Sequence, residues 1–227
     1  MEILILNDVT YEYRNKHQTV LAVNKVNYSF KKGILYAIIG KSGSGKTTLL
    51  SLMAGLDLPC SGEILYDGIN IANINRDKFR RENVSMIYQD YNLIPFLTVL
   101  ENVSFPLQLV GVSGRDAKKN AIEKLQSVGL GELYYNRFPA MLSGGEQQRV
   151  AIARALAASA DVILADEPTG NLDTENTRNI INILTKLAHE ENIYVIVVTH
   201  DISVSEQADI VIKMTDGKFI EEKTAYN

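Results

Sequence analysis

Cysteine is nearly absent from this chain, and so are long apolar runs and basic stretches. Cys60 stands alone among 227 residues. A single cysteine excludes an internal disulfide framework, offers no thiol cluster for a metal, and suits a reducing compartment. No apolar run approaches the roughly 20 residues that a membrane span needs. Met1 to Thr10 carries Glu2 and Asp8, without a basic region or an apolar leader core. The expectation is a chain that stays in the cytoplasm. Basic residues come as short pairs, Lys31-Lys32, Arg80-Arg81 and Lys118-Lys119, within a net charge of -4 and a pI near 5.5. Without a basic stripe, nucleic acid is not an expected partner. What remains is ordinary: 46% of residues are hydrophobic, enough for a sizeable core in one or two compact domains.

Against that background one stretch stands out, ILYAIIGKSGSGKTTLLSLMAG from Ile34 to Gly55. The run Ile34 to Ile39 reads as a buried strand and Thr47 to Ala54 as a helix, with a glycine-rich turn between them. The turn fits G-x-x-x-x-G-K-[ST] at Gly40, Gly45, Lys46 and Thr47. Glycines let a backbone wrap a polyphosphate at dihedrals that side chains forbid, with successive N–H groups turned inward. The helix start adds unpaired amides and partial positive charge. Lys46 would reach the β- and γ-phosphates, and Thr47 would offer its hydroxyl to Mg²⁺. A flexible glycine-serine linker would not bring a strand before it and a helix after it.

Before this loop, Glu2 to Tyr13 and Val20 to Phe30 alternate apolar and polar residues, as half-buried antiparallel strands do. Tyr11 and Tyr13 sit two apart, so either one could stack on a base or simply cover a sheet edge. After the loop, Ser61 to Ile71 reads as a hairpin turning at Asp67-Gly68. Arg76 to Glu82 is a charged surface helix, and Val84 to Tyr88 a short buried strand ending at Gln89. That glutamine is either a loop residue or a group aimed at a ligand. Tyr91 to Leu109 is rich in large apolar side chains but carries Pro95 and Pro106, which argue against one continuous helix. It is either buried or a surface for a partner. Arg115 to Val128 reads as an amphipathic helix with Ala121, Leu125 and Val128 inside.

LSGGEQQRVAIARAL, Leu142 to Leu156, opens with a capping box of Ser143 and Glu146. The box leaves Gly144 and Gly145 unexplained, since glycine costs about 1 kcal/mol against alanine inside a helix. Two bare residues at a helix start make a second anion site. A two-fold dimer in which each subunit's second site completes the other's first would use both sites. Asp161 to Glu167 is a buried strand running into two adjacent acids. Asp166 fits the carboxylate that holds Mg²⁺, and Glu167 the base that orients or activates the attacking water. Thr174 to Glu190 reads as a helix, and Ile193 to Val198 as a strand leading into Thr199-His200-Asp201. His17 and His189 receive no role. The phosphate loop, Gln89, Asp166-Glu167 and His200 all follow the carboxyl ends of apolar strands, where open α/β sheets bind ligands.

With these motifs in order, the sequence resembles the nucleotide-binding subunit of an ATP-binding cassette (ABC) transporter over essentially its whole length. LSGGEQQRVAIARAL matches the family signature, GKSGSGKTT Walker A, Gln89 the Q-loop, VILADEP Walker B, Asn171 to Asp173 the D-loop, and His200 the switch histidine. The resemblance implies a P-loop NTPase of the α/β class. It would combine a RecA-like core (1–91 and 159–227) and an antiparallel β-subdomain with a helical subdomain from about Asn92 to Ala158. It implies a head-to-tail homodimer around two ATP, each held by Gly40, Ser42, Gly43, Ser44, Gly45, Lys46, Thr47 and Thr48 of one chain and Ser143, Gly144 and Gly145 of the other. Tyr13 matches the adenine-stacking aromatic, with Tyr11 as the alternative. Mg²⁺ would be held by Thr47, Gln89 and Asp166, while Glu167, His200, Gln89 and Lys46 serve hydrolysis. YQDYNLIPFLTVLENVSFPL and the Gly-Asn-Leu-Asp loop look most like the branch for lipoprotein release, macrolide export and antimicrobial-peptide resistance. That branch implies a separate FtsX-like membrane permease, received near Tyr91 to Leu97, and a peripheral place on the inner face of the membrane. The alternative is the cell-division relative, which signals through an FtsX-like partner without transport. Cassettes acting on nucleic acid usually add a second cassette, a coiled coil or zinc-binding cysteines, and GTPases add Asn-Lys-x-Asp; the chain has none of these.

Overall fold

The structure, a computed structural model, describes residues 4–15, 18–158 and 160–224, so His17 lies outside the described residues. In chain order the elements are β1 (Leu4–Arg14), β2 (Thr19–Phe30), β3 (Leu35–Ile39), α1 (Lys46–Met53), β4 (Ser61–Tyr66) and β5 (Ile69–Asn70). Next come α2 (Arg76–Glu82), β6 (Val84–Ile87), α3 (Val99–Leu109), α4 (Gly114–Ser127), α5 (Gly144–Ala157) and β7 (Val162–Asp166). The chain closes with α6 (Thr174–Glu191), β8 (Tyr194–Thr199), α7 (Ile202–Ser205), β9 (Ile210–Thr215) and β10 (Lys218–Thr224).

The alternating strands pair as their pattern requires: β1 lies antiparallel to β2 and to β4 in a sheet of order β2-β1-β4-β5. The continuous apolar strands go to a second sheet of order β10-β9-β3-β8-β7-β6, parallel from β9 to β6. Such strands are apolar on both sides because both faces are covered. Leu35, Ala37, Ile163, Ala165, Val195 and Val197 face one core, which α3, α4, α5 and α6 cover. Tyr36, Ile38, Val162, Leu164, Ile196 and Val198 face the other, closed by α1 and the antiparallel sheet. Each large side chain so buried contributes about 1.5–3 kcal/mol of transfer free energy. This is the α/β P-loop architecture that the motifs imply.

The segment after β6 is not one continuous helix, as its prolines suggest, but only Pro95 falls in the irregular part. Pro95 precedes α3, but Pro106 lies inside it. A proline there removes only the bond to the Asn102 carbonyl, and the helix ends at Leu109, so little ladder is lost. The helix start is strong: Thr98 N donates to Glu101 Oε2 at 2.8 Å, and Glu101 N to Thr98 Oγ1 at 3.2 Å. Buried Asn102 staples the irregular stretch before it, accepting from Ile94 N at 2.8 Å and donating to the carbonyls of Ile94, Leu97 and Thr98 at 3.0–3.1 Å. Phe96, at the centre of that stretch, is 87% exposed.

Candidate functional site

Parallel pairing puts the carboxyl ends of β3, β8, β7 and β6 along one edge, and the loops that leave this edge carry the candidate residues. After β3 the chain enters the phosphate loop, whose shape is dictated by its walls. A Cβ on Gly40 would lie 2.3 Å from Met214 O, and one on Gly45, at φ 101°, would lie 2.0 Å from Ala22 O. The turn after β9 locks the same corner, with Gly217 N donating to Ser44 O at 3.0 Å and Asn24 N to Gly217 O at 2.9 Å. Lys46 is buried, its Nζ donating to Gly40 O at 2.7 Å and Lys41 O at 3.2 Å, so the ammonium sits within the loop. Among the described residues the buried Ser44 Oγ has no hydrogen-bond partner. No side chain caps α1, whose first turn also lacks an acid, and its amides stay open to a phosphate. The loop therefore fits a polyphosphate.

Thr47 Oγ1 donates to Asp166 Oδ1 at 3.1 Å, joining the helix start to the end of β7. Burial pushes the Asp166 carboxyl up, and the Glu167 charge adds to this, against the lowering effect of Thr47 and Lys46. Among the described residues no three His, Cys, Asp or Glu side chains gather to hold a metal. A divalent ion at Thr47 and Asp166 would therefore complete its shell with nucleotide and water oxygens, as Mg²⁺ commonly does.

Glu167 turns back from β7 at φ 47°, anchored by its N–H on Val198 O at 2.9 Å. Its Oε1 lies 2.8 Å from His200 Nδ1; its Oε2 accepts from Thr199 Oγ1 at 2.9 Å and His200 N at 3.3 Å. Beside an ionised Glu167, Nδ1 carries the proton. Gln89, the third expected metal ligand, is turned elsewhere. Its Nε2 approaches Asn171 Oδ1 at 3.5 Å, while Asn171 Nδ2 donates to Gln89 O at 3.3 Å. Thr47 and Asp166 meet, but no bond among the described residues joins Gln89 to them.

Of the two tyrosines, Tyr13 is 51% exposed with its hydroxyl 3.1 Å from Thr48 Oγ1, whereas Tyr11 packs against the core and meets Tyr13 edge-on at 5.1 Å. Tyr13 is the one placed beside the phosphate loop. At α5 the capping box forms, with Ser143 N donating to Glu146 Oε2 at 2.7 Å and Glu146 N to Ser143 Oγ at 3.4 Å. The two glycines also have a packing reason: a Cβ on Gly144 would lie 2.7 Å from Tyr91 OH, and one on Gly145 would lie 2.3 Å from Asn176 Oδ1. No hydrogen bond or ion pair among the described residues joins Ser143–Gly145 to the phosphate loop.

Sequence reading passed over two supports. Arg154 donates to Asn92 O at 2.6 Å and Tyr91 O at 2.9 Å, holding two residues with φ 47° and 60°. Burial pulls its guanidinium down from its usual range. Thr199 is the other, and its only signal in the sequence is a polar residue ending an apolar strand. His189, given no role, pairs with Asp209 at 2.8 Å. A cavity of about 760 Å³ between α4, α5 and α6 shares none of these site residues.

Residues 23–170 match the family model described as ABC transporter. The chain is 43% identical over 219 residues to an uncharacterized ABC transporter ATP-binding protein, YclH of Bacillus subtilis (strain 168), covering 96% of each. It is 40% identical to the methionine import ATP-binding protein MetN of Staphylococcus saprophyticus, across 96% of this chain and 64% of that protein. Among solved structures, the ATP-binding cassette MJ0796 of Methanocaldococcus jannaschii, dimeric in a post-hydrolysis state with ADP and Pi, superposes with a TM-score of 0.91 at 39% identity. It covers 99% of this chain and 100% of that one.

Proposed function

Because the chain belongs to the ABC transporter family, as an ATP-binding subunit and an ATPase, we propose that two copies close head-to-tail around two ATP molecules and thereby drive a separate membrane permease. The observation carrying this is the shared edge where the phosphate loop, Thr47-Asp166 and the Glu167–His200 pair meet, while Ser143–Gly145 stay unlinked to that loop. A signature that serves no site in its own subunit suits a role in the partner's. The dimeric MJ0796 cassette supports that reading.

In this proposal Gly40, Ser42, Gly43, Ser44, Gly45, Lys46, Thr47 and Thr48 bind the phosphates of ATP, and Tyr13 stacks on the adenine. Ser143, Gly144 and Gly145 of the second copy close over the γ-phosphate. Thr47 and Asp166 would hold Mg²⁺, which together with Lys46 would neutralise charge on the phosphates. Glu167 takes the proton of the attacking water, and His200 with Gln89 contacts the γ-phosphate or that water. Gln89 would have to leave Asn171 to do so.

The permease we propose is FtsX-like, and the work export of, or resistance to, peptides, antibiotics or lipoproteins. The stretch from Tyr88 to Leu107 and the Gly-Asn-Leu-Asp loop support this branch, and exposed Phe96 offers the permease an apolar contact. Among the described residues no helix is long and apolar enough to cross a membrane, so attachment at the inner face would come through that partner. Identity alone does not separate exporters from importers, since MetN, an import protein by name, is 40% identical. A cell-division cassette signalling without transport is the second reading, supported by the same stretch from Tyr88 to Leu107.

Glu167→Gln tests the mechanism: ATP binding should persist, hydrolysis should fall by about 100-fold or more, and an ATP-dependent dimer should accumulate on size exclusion. Hydrolysis at the parental rate would sink the assignment. Purification from mildly solubilised membranes, with the partner identified by mass spectrometry, tests the branch. A few-span permease with a large extracytoplasmic domain supports it, and recovery of ribosomes or repair proteins removes the transporter.

A further inference from the structure

The Glu167 carboxylate rests on two supports of opposite character. The His200 side chain is 70% exposed, while Glu167 beside it is 16% exposed. Thr199, by contrast, is fully buried at the end of β8, on the same face as Val195 and Val197. Asp201 N donates to Thr199 Oγ1 at 3.0 Å, which uses the hydroxyl as an acceptor and leaves its single hydrogen for Glu167 Oε2 at 2.9 Å. An ionised carboxylate only accepts, so the direction is forced. Asp201 is itself fixed, its Oδ1 accepting from Ser203 N and Ser203 Oγ at 2.8 Å each. A β-branched residue in a packed strand end has little rotamer freedom. An exposed imidazole is free to swing toward a nucleotide, and when it does, the Thr199 hydroxyl is the side chain that still holds the acid.

Building on the reading of Glu167 as the base, we infer that Thr199 is a positioning residue for ATP hydrolysis, its buried hydroxyl keeping Glu167 aimed when His200 turns to the phosphate. In this role the residue acts through the carboxylate, to which its hydroxyl donates. Held groups of this kind matter because a general base misplaced by a fraction of an ångström loses much of its effect.

The test is single-turnover ATP hydrolysis by the purified full chain, alongside equilibrium ATP binding. Thr199→Val keeps the shape and loses the donor: the rate should fall about tenfold, with ATP affinity within about twofold of the parent and Thr199→Ser back within about twofold in rate. In a Glu167→Gln background, Thr199→Val should leave the residual rate unchanged. Should the valine variant not fold, Thr199→Ala carries the same expectations. A parental rate in the variant, or an equal loss with and without Glu167, overturns the proposal. Glu167→Gln alone hydrolysing at the parental rate would instead remove the base on which it rests.

Discussion

The glycine-bearing helix starts of α1 and α5 face the same task in opposite conditions. α1 begins without a side-chain cap, its lysine folded into the loop before it, which leaves its first amides available to a ligand. α5 begins with its own acid in place: Glu146 and Ser143 bond each other's backbone. The first site is therefore preformed within one subunit. The second is partly self-occupied and carries a negative charge near the place a phosphate would take. Affinity in a lone subunit should reside at α1, with α5 contributing only when a second chain supplies the rest.

The glycines offer the sharpest way to break this contrast. Gly45→Ala should be the more damaging of the pair: its Cβ would press on the Ala22 carbonyl at 2.0 Å, at a φ of 101° that side chains rarely adopt. A loss of about 3 kcal/mol or more, with ATP binding abolished, is expected by thermal melting and titration. Gly145→Ala meets a side chain instead, Asn176 Oδ1 at 2.3 Å. That side chain can shift, at the expense of its Nδ2 bond to Asp173 Oδ2 at 2.9 Å, while the backbone N–H keeps Asp173 Oδ1 at 2.8 Å. The expected loss is about 1–2 kcal/mol, lowering the melting temperature by several degrees, with ATP binding by the single subunit intact. If Gly145→Ala left melting untouched and abolished only dimer formation, the bare helix start would exist for its ligand and not for packing.

The smallest effect concerns the cap. Ser143→Ala should cost about 1 kcal/mol at neutral pH. Burial works to raise the Glu146 carboxyl, but hydrogen bonds from Ser143 and Tyr134 outweigh it and hold the group below its ordinary value of 4.5. A carboxylate so depressed stabilises the fold above that value and loses its contribution as pH falls through the lowered one. The gap between parent and variant should thus narrow below pH 4.5, as melting curves at a series of pH values would show. A gap independent of pH would mean that the cap works without Glu146.

How legible all this was depended on how far apart in the chain the partners lie. The phosphate loop, the hairpin at Asp67-Gly68, α2 and the acids ending β7 are local, and the residues announce them. So does the capping box of Thr98 and Glu101, which the prolines around it obscured. Pro106 misleads as a breaker because a proline's damage depends on how much helix follows it, and here only Leu107 to Leu109 do. Asn102, Arg154 and Thr199 are hidden for another reason: each does its work on residues four to sixty-three positions away, as with Arg154 on Tyr91. The same holds for Gly145, whose bareness answers to Asn176 on α6, the next helix.

The corner built by Gly40, Gly45 and Gly217 bears on how portable this binding loop is. Its walls are carbonyls of Met214 in β9 and Ala22 in β2, and its latch is the bond from Gly217 to Ser44. A graft that copied only the nine residues from Gly40 to Thr48 onto another sheet would transplant the letters without the mould. To carry the shape, the host would need an antiparallel strand and the β9–β10 turn standing on either side of it.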